Sequence, residues 1–452
     1  MASKYAVINP ATGELIKSYP EATDAQIEEA MASAQKAYKE WARNTTVAER
    51  AALVQRAADL HLERKEELAA IINREMGKPM DQSIGEVEFS AEIMSYYAKN
   101  GEEFLKDQEL HTEDGQRTFV RRQGVGVLLG IMPWNYPYYQ VARFAAPYII
   151  AGNTIILKHA NQTPESAAAI QQIYLDAGLP EGAYVNVYAT HDQVSTMIND
   201  DRIQGVSLTG SERAGAIVAA QAGKALKKCV LELGGSDVLL VLDTDDLDAA
   251  VENAVGGRME NSGQACNGSK RIVVMDKYFD EFKEKFLKAM ADLKYEAEDF
   301  GPLSSESATE TLTSQVGKAI EQGAEVLVGN NTPEGNLYAP TVLGGVEPSM
   351  DVYKEELFGP VAQLYKVSSD EEAIELANSS PYGLGSVVLC DDHDRAIEVG
   401  TKLDVGMVFI GGAGLDAADV PFGGVKRSGY GRELGPFGIE EFVNKKVFRF
   451  SA

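Results

Sequence analysis

Apolar side chains recur every three to four residues along three consecutive stretches near the start of the chain. This spacing predicts amphipathic helices over residues 25–43, 47–76 and 83–105. The second stretch ends in Met76-Gly77-Lys78-Pro79, and a glycine followed by a proline is typical of a helix C-terminus. Because each helix has one apolar face, the three helices must pack against another layer of the protein.

From residue 124 onwards, short apolar runs alternate with helical patterns. The predicted strands are 124–131, 153–158, 184–188, 205–209 and 229–233, and the helices between them are 163–178, 193–199 and 211–226. After Gly234-Gly235 a second series begins at Val238, with helices 247–259, 277–293, 314–322 and 371–378 and strands 271–275, 361–367, 386–389 and 406–410. Continuous apolar strands separated by helices predict parallel sheets covered on both faces. We therefore expect an α/β protein with two parallel-sheet, Rossmann-like domains that meet near Gly234.

Residues 107–123 are mostly polar, with side-chain character that alternates from one residue to the next as in a strand. Asp114-Gly115 within them is typical of a hairpin turn. A hairpin with so little apolar surface is marginal alone, so we expect it to protrude and pair with another chain. The C-terminal residues 446–450 alternate in the same way.

The charge balance excludes two classes of partner. Lys and Arg number 42 against 68 Asp and Glu, which gives a net charge of −26. Nucleic acids and anionic membranes require a basic surface. Three unclustered cysteines argue against a disulfide framework and a zinc site, and no apolar run approaches the roughly 18 residues of a membrane span. We expect a cytoplasmic protein with no metal.

One cysteine differs from the other two in its surroundings. Cys266 lies in a polar, glycine-punctuated turn, 261–269, between a predicted helix and a predicted strand. Cys229 and Cys390 lie in apolar strand-like runs, where a free cysteine is usually inert. Cys266 is therefore a candidate nucleophile, and the alternative is an accidental loop cysteine.

Two polar residues follow predicted strands. Asn135 comes just after strand 124–131 between two prolines, where its amide can donate to a developing oxyanion or merely cap a turn. Lys158 ends an apolar strand, so its ammonium is expected at the carboxyl edge of the sheet, where ligands bind. The alternative for Lys158 is a surface lysine.

Two further features lie at strand ends. Glu232 is embedded in the apolar run 230–235, where burial would raise its pKa towards that of a general base, unless a structural salt bridge holds it. Gly210 and Ser211 join a strand to a helix, and such a turn offers free backbone amides to an anion. Ser211 also suits a plain helix cap.

Taken in order, these segments resemble the NAD(P)-dependent aldehyde dehydrogenase superfamily. The segments are 133–135 (Pro-Trp-Asn), Lys158, 209–211 (Thr-Gly-Ser), 232–235 (Glu-Leu-Gly-Gly), 263–266 (Gly-Gln-Ala-Cys), 356–360 (Glu-Leu-Phe-Gly-Pro) and 421–424 (Pro-Phe-Gly-Gly). The resemblance implies a cofactor-binding domain of residues 1–104, 123–234 and 428–442 and a catalytic domain of 235–427. It also implies an oligomerisation flap of 105–122 and 443–452, in a homodimer or homotetramer.

The resemblance assigns a role to each candidate. It implies that Cys266 attacks the aldehyde, that Asn135 and the Cys266 backbone N–H hold the oxyanion, and that Glu232 activates water to release the acid. It implies a cofactor site formed by Trp134, Lys158, Asn161, Gly210, Ser211, Glu356 and Phe358. A cysteine thioesterase or esterase without a redox step would need neither Lys158 nor Glu356.

The likeness is closest to bacterial succinate-semialdehyde dehydrogenases of a short type, through residues 131–135, 157–160 and 227–237. It implies that Arg143, near the cavity entrance, binds the substrate carboxylate, and that Tyr138 and Tyr139 form pocket walls. Two features depart from that group. Glu260 stands where its better-studied members carry a second arginine, and Asp416 and Asp419 precede Pro421, where they would repel a carboxylate. The alternative that the enzyme accepts a broad range of aliphatic or aromatic aldehydes as substrates therefore stays open.

The residue three places after Lys158 bears on the choice of cofactor. NAD-preferring members of the family carry a glutamate there, and this chain has the neutral Asn161. Loss of a charge that would repel the 2′-phosphate favours NADP, so we expect NADP to be used at least as well as NAD. The alternative is that Asn161 only caps the helix that starts near Thr163.

Overall fold

The computed structural model describes residues 4–295 and 298–451. Its α-helices are α1 Asp24–Ala37, α2 Val47–Glu63, α3 Lys65–Met76, α4 Met80–Phe104, α5 Tyr139–Ile150, α6 Pro164–Asp176, α7 His191–Asn199, α8 Glu212–Lys224, α9 Leu247–Met259, α10 Asp276–Asp292, α11 Glu306–Glu321, α12 Asp370–Asn378, α13 His393–Thr401 and α14 Gly435–Gly438. Its strands are β1 Tyr5–Ile8, β2 Leu15–Tyr19, β3 Gln108–Leu110, β4 Thr118–Gly124, β5 Val127–Ile131, β6 Thr154–Lys158, β7 Tyr184–Asn186, β8 Ile203–Thr209, β9 Lys228–Glu232, β10 Asp237–Asp243, β11 Ser269–Met275, β12 Glu325–Val328, β13 Thr341–Gly344, β14 Val361–Val367, β15 Tyr382–Gly383, β16 Ser386–Cys390, β17 Phe409–Ile410, β18 Val425–Lys426, β19 Gly429–Tyr430 and β20 Val443–Arg449.

Two parallel sheets organise the molecule. The first has the strand order β19-β9-β8-β5-β6-β7, and only its edge strand β19 is antiparallel to its neighbour. The second has the order β12-β13-β14-β11-β10-β16-β17, in which β12 alone is antiparallel. The predicted α/β class with two parallel sheets is confirmed.

Both sheets are buried on both faces. Along β5, Leu128 packs into a cluster with α2, α4 and α5, whereas Val127 and Leu129 pack on the opposite face with α1, α7 and α8. Along β10, Leu240 faces α11 to α13, and Leu239 faces α9 and α10. Successive side chains of a strand point to opposite faces, so these strands must be apolar throughout.

A third sheet, β20-β4-β3, is antiparallel. Gly115 adopts a φ of 66° between β3 and β4, as a hairpin turn requires. The hairpin pairs with the C-terminal strand of the same chain, and Phe119 stacks on Phe448 with ring centroids 4.9 Å apart. Pairing of this sheet with a second chain stays a prediction.

Two predicted elements are wrong because each is divided. Residues 47–76 form two helices, separated at Arg64, whose φ of −113° and ψ of 18° are not helical. Residues 124–131 are interrupted at Gly126, whose φ is 146°. In both cases the apolar pattern continues across the break, so periodicity alone does not reveal it.

The sequence patterns also missed several elements. These are β1, β2, β12, β13, α13 and the short elements β15, β18, β19 and α14. The predicted strand 406–410 is only two residues long as β17. All of β2 is exposed or half-exposed, so it has no buried face to produce an alternating pattern. None of the helices in 4–295 and 298–451 is long and apolar enough to cross a membrane.

Candidate active site

Cys266 lies in the turn between α9 and β11, and this turn has an unusual backbone. Asn261, Ser262 and Gly263 have successive φ values of 50°, 56° and 75°. A left-handed conformation is costly for residues other than glycine, so surrounding contacts must hold it. The Asn261 N–H donates to Gln82 Oε1 at 2.8 Å, and Ser262 Oγ accepts from the Gly301 N–H at 2.8 Å.

Asn135 follows β5 and is joined to the Cys266 turn by hydrogen bonds. Its Nδ2 donates to the Gln264 carbonyl at 3.0 Å, and Asn261 Nδ2 donates to the Asn135 carbonyl at 2.9 Å. Asn135 is 5% exposed, so the amide is fixed and largely dry. The structure thus brings the predicted nucleophile and the predicted oxyanion donor onto two joined segments.

A cavity of about 320 Å³ reaches Cys266. Its apolar lining comes from Phe89, Tyr136, Tyr139 and Phe422. Phe89 stacks on Tyr139 with ring centroids 5.3 Å apart, so the aromatic side chains support one another. The cavity has the size and apolar character of a small-molecule site with a reactive group on its wall.

The thiol of Cys266 needs help to ionise. Burial raises its pKa to about 12, and the positive charges of Arg143 and Lys270 act against this rise. At neutral pH the thiol is therefore protonated in this arrangement. A nucleophile must lose that proton, so the nearby charges matter for its reactivity.

Glu232 ends β9 and is 1% exposed. Within the described ranges, neither of its carboxyl oxygens has a hydrogen-bond partner. Burial is the main cause that raises its pKa well above the usual value, and the Arg143 charge partly offsets this. No salt bridge to Glu232 is found in those ranges, so the structural alternative is not supported. A buried carboxyl whose pKa is raised becomes an effective general base once it is ionised.

The ammonium of Lys158 lies at the end of β6 and is not on the surface. Its Nζ donates to Asn161 Oδ1 at 3.0 Å, and burial lowers its pKa to about 8. Asn161 therefore faces Lys158, whereas α6 has Thr163 as its N-cap residue. In the part of the chain described here, Lys158 forms no salt bridge, which leaves its charge available to an anion.

The turn before α8 fits the anion expectation only in part. Ser211 caps α8, with its side chain accepting from the Ala214 N–H at 3.3 Å, as the plain-cap alternative predicts. The Gly210 N–H is not free, because it donates to the Glu232 carbonyl at 3.0 Å. The helix N-terminus nevertheless keeps its favourable dipole.

Trp134 and Glu356 come from opposite sides of the boundary between the two sheets. Trp134 meets Phe358 edge-on, with ring centroids 5.7 Å apart. Glu356 Oε1 accepts from the Gly235 N–H at 3.1 Å and forms an ion pair with Lys270 at 3.3 Å. A buried ammonium is a group that suits a phosphate, and a carboxylate and aromatic rings are groups that suit the ribose and nicotinamide ring of NAD(P).

The structure does not place Arg143 near the cavity entrance. The residue is fully buried on α5, pairs with Glu433, and donates to Tyr139 Oη at 3.0 Å. Its guanidinium lies against the rings of Tyr139 and Phe422, 4.9 Å and 4.6 Å from their centroids. Arg143 is therefore behind the cavity wall. Its partner is 290 residues away, so no local pattern could indicate this pairing.

Tyr138 does not line the cavity, and Tyr139 does. Tyr138 is 1% exposed and packs edge-on against His61, with ring centroids 6.0 Å apart. Because Tyr138 immediately precedes α5 and Tyr139 begins it, the two side chains point in different directions. The expected wall position of Tyr138 is wrong.

Several cavity residues escaped the sequence analysis. Lys78 and Glu86 form a buried ion pair on the wall, and the Lys78 ammonium lies 3.6 Å from the centroid of the Tyr136 ring. The Tyr136 hydroxyl donates to Glu260 at 2.7 Å. Lys78 was visible only as part of a helix-ending motif, which gave no indication of a cavity.

Two of the three acidic residues that depart from the family pattern line the cavity. Glu260 and Asp416 both line it, and Asp416 accepts from Asn267 Nδ2 at 2.9 Å. Burial, followed by the Glu260 charge, raises the pKa of Asp416 to about 6. Asp419 is exposed and is not part of the lining. The wall therefore carries more negative than positive charge.

The two parallel sheets place the protein in the α/β class, and the family match that follows makes it an oxidoreductase. The chain belongs to the aldehyde dehydrogenase family, which it matches over residues 1–448. It is 48% identical, over 98% of its length and 94% of the relative, to succinate-semialdehyde dehydrogenase [NADP(+)] of Deinococcus radiodurans. It is 43% identical to succinate semialdehyde dehydrogenase [NAD(P)+] Sad of Escherichia coli, over 97% and 96% of the two chains.

A solved crystal structure of a succinic semialdehyde dehydrogenase is also similar to this chain. The crystal structure of succinic semialdehyde dehydrogenase from Streptococcus pyogenes, in complex with NADP+ as the cofactor, superposes with a TM-score of 0.95. It is 38% identical, and the match covers 99% of this chain and 100% of that one. The protein is an NAD(P)-dependent aldehyde dehydrogenase.

Proposed function

We propose that this protein oxidises succinate semialdehyde to its acid with NAD(P), through a thioester on Cys266. The observation that carries the proposal is the cavity that reaches Cys266, with Asn135 joined to the same turn. Glu232 adds a buried carboxyl with no hydrogen-bond partner in the described ranges, and both Glu232 and Cys266 act electrostatically on Arg143. Thiol, amide donor and carboxyl are the three groups that thioester formation and hydrolysis require.

Each residue has a defined part in the proposed mechanism. The thiolate of Cys266 attacks the aldehyde carbon, and Asn135 Nδ2 turns from the Gln264 carbonyl to the developing oxyanion, with the Cys266 N–H as second donor. Loss of a hydride from the same carbon, for which bound NAD(P) would supply the acceptor, leaves the acyl group on Cys266 as a thioester. Glu232 then takes a proton from water, which attacks the thioester and releases the acid.

We assign the cofactor residues by their chemistry. Lys158 and Asn161 would hold the adenosine ribose and its 2′-phosphate. The N-terminus of α8, at Gly210 and Ser211, would attract the pyrophosphate through the helix dipole. Glu356 would accept from the nicotinamide ribose, and Trp134 and Phe358 would line the ring site. The buried, charged Lys158 without an acidic partner among the described residues supports use of NADP at least as well as NAD.

The relatives named above support succinate semialdehyde as the substrate. Lys78 supplies a cation on the cavity wall, and Arg143 lies directly behind it. A second candidate is a broad-range aldehyde dehydrogenase. Glu260 and Asp416 on the aromatic-walled cavity favour it, because they repel a distal carboxylate.

The remaining organisation is proposed from the resemblance and the sheet arrangement. Residues 1–104, 123–234 and 428–442 would form the cofactor-binding domain, and 235–427 the catalytic domain. The sheet formed by parts of 105–122 and 443–452 would join subunits into a homodimer or homotetramer. We place the protein in the cytoplasm.

The test is a panel of aldehydes assayed by NAD(P)H absorbance, with acid formation checked by mass spectrometry. Succinate semialdehyde should have the highest kcat/KM, above butanal and benzaldehyde. Equal values across the panel would favour the broad-range enzyme. Acid formation without NAD(P)H would contradict a redox step.

A further inference from the structure

Lys270 lies beneath the catalytic turn, and nothing in the mechanism above uses it. The residue is the second of β11 and is fully buried. Its ammonium donates to the Ala265 carbonyl at 2.7 Å and to the Cys266 carbonyl at 2.6 Å. It also pairs with Glu356 Oε1 at 3.3 Å. Three N–H groups therefore meet three acceptors, so the ammonium is fully satisfied.

These contacts connect two separate parts of the proposed site. Ala265 and Cys266 carry the nucleophile, whereas Glu356 is the proposed partner of the nicotinamide ribose. Glu356 Oε1 is occupied by Lys270 and the Gly235 N–H. Its Oε2 lies against Gly234, where any side chain would collide with it, and 19% of the Glu356 side chain is exposed. The carboxylate can therefore take further donors while Lys270 holds it from behind.

We propose that Lys270 is a positioning residue that couples cofactor occupancy at Glu356 to the reactivity of Cys266. The inference rests on the proposed function of that site. When hydroxyl donors bind Glu356, its negative charge is shared with them, and less of it compensates Lys270. The ammonium then favours the thiolate of Cys266 more strongly.

The electrostatic surroundings support this direction. Among the charges that act on the Cys266 thiol, Arg143 and Lys270 lower its pKa, and Glu356 and Asp237 raise it. Arg143 is already neutralised by Glu433 in a buried pair. The ammonium of Lys270 in turn interacts electrostatically with Glu356, Arg258, Asp237 and Cys266. Lys270 is thus the cation whose compensation depends on a proposed cofactor ligand.

The test measures alkylation of Cys266 by iodoacetamide across pH, with and without NADP, and identifies the modified peptide by mass spectrometry. In wild type, NADP should accelerate alkylation. Lys270→Met should react about tenfold more slowly at neutral pH, which corresponds to one pKa unit, and should lose the NADP effect. Lys270→Arg should restore part of the alkylation rate and part of its acceleration by NADP. Lys277→Met, which removes an exposed lysine just after the opposite end of β11, should match wild type.

Glu356→Gln should change the alkylation rate of Cys266 in the opposite direction to Lys270→Met. This second variant keeps the test valid even if Lys270→Met fails to fold. It keeps a side chain of the same size and removes the compensating charge, so alkylation without NADP should be faster than in wild type. A purely structural role would loosen the turn in both variants and change both rates in the same direction. That result, or an unchanged pH profile in Lys270→Met, would overturn the proposal. Absence of NADP-dependent aldehyde oxidation in wild type would instead overturn the proposed function.

Discussion

Asn161→Glu is expected to turn the enzyme away from NADP. Asn161 Oδ1 accepts from Lys158 Nζ at 3.0 Å, so a glutamate at this place would bring a carboxylate to the same ammonium. The ammonium would then be neutralised, and the new charge would face a 2′-phosphate that Lys158 is proposed to bind. Both changes act against NADP, whereas the free ribose hydroxyl of NAD can donate to the carboxylate.

The size of the effect follows from the separation of the charges. Two unit charges about 5 Å apart interact with ~1 kcal/mol in water and ~3 kcal/mol at an effective dielectric constant of about 20. Because each 1.4 kcal/mol is a factor of about ten, kcat/KM for NADP should fall by roughly fivefold to a hundredfold. The value for NAD should stay the same or rise.

The assay compares kcat/KM for NADP and NAD in wild type, Asn161→Glu and Asn161→Gln. The glutamine variant has the same length without the charge, so it should keep NADP use. In wild type, KM for NADP should rise above about pH 8, since the pKa of Lys158 is lowered to about 8 and its charge is present below that pH and lost above it. An equal loss with both cofactors, or unchanged NADP use in Asn161→Glu, would refute this account of the choice.

Three further predictions concern the substrate cavity and the hydrolytic step. Glu232→Gln should keep a single-turnover burst of NAD(P)H while steady-state turnover collapses, because its unpartnered carboxyl is proposed to act after the hydride step; equal loss of both would assign it another role. Glu260→Gln should raise kcat/KM for succinate semialdehyde, but not for butanal, by roughly fivefold, from removal of ~1 kcal/mol of repulsion at the exposed cavity wall. An equal change with both aldehydes would show that Glu260 does not face the substrate. Arg143→Ala should raise KM for succinate semialdehyde more than for butanal, and urea unfolding should show a loss of about 3–5 kcal/mol because Glu433 is left buried and unpaired. Unchanged stability would contradict the buried pair, and similar KM changes would contradict a part in carboxylate selection.

Sequence patterns predicted the parts of the fold that depend on local periodicity. The bounds of α9, Leu247–Met259, and of β14, Val361–Val367, agree with the prediction, because their apolar positions and flanking polar residues change abruptly. The break at Arg64 was missed because the helical spacing of apolar residues runs through it. Local patterns therefore reveal that an element exists, but they do not reveal a break within it.

The site was predictable only as far as its residues belong to ordered motifs. Cys266 and Asn135 follow strand and helix ends, and the structure joins them through Gln264. The pairing of Arg143 with Glu433 depends on chain segments 290 residues apart, which no local pattern connects. Lys270 falls between the predicted turn 261–269 and the predicted strand 271–275, where no pattern assigned it a role. Only the fold shows that it supports the catalytic turn.

The most direct test of the central claim is to trap the thioester. Wild type and Glu232→Gln are mixed with succinate semialdehyde and NADP, quenched in acid, and mapped by peptide mass spectrometry. The account predicts a succinyl adduct on the peptide that contains Cys266, more abundant in Glu232→Gln, and no adduct or NADPH in Cys266→Ala. Cys229→Ala and Cys390→Ala should label as wild type does. Normal turnover by Cys266→Ala, or an adduct on a different residue, would contradict the claim that Cys266 is the nucleophile.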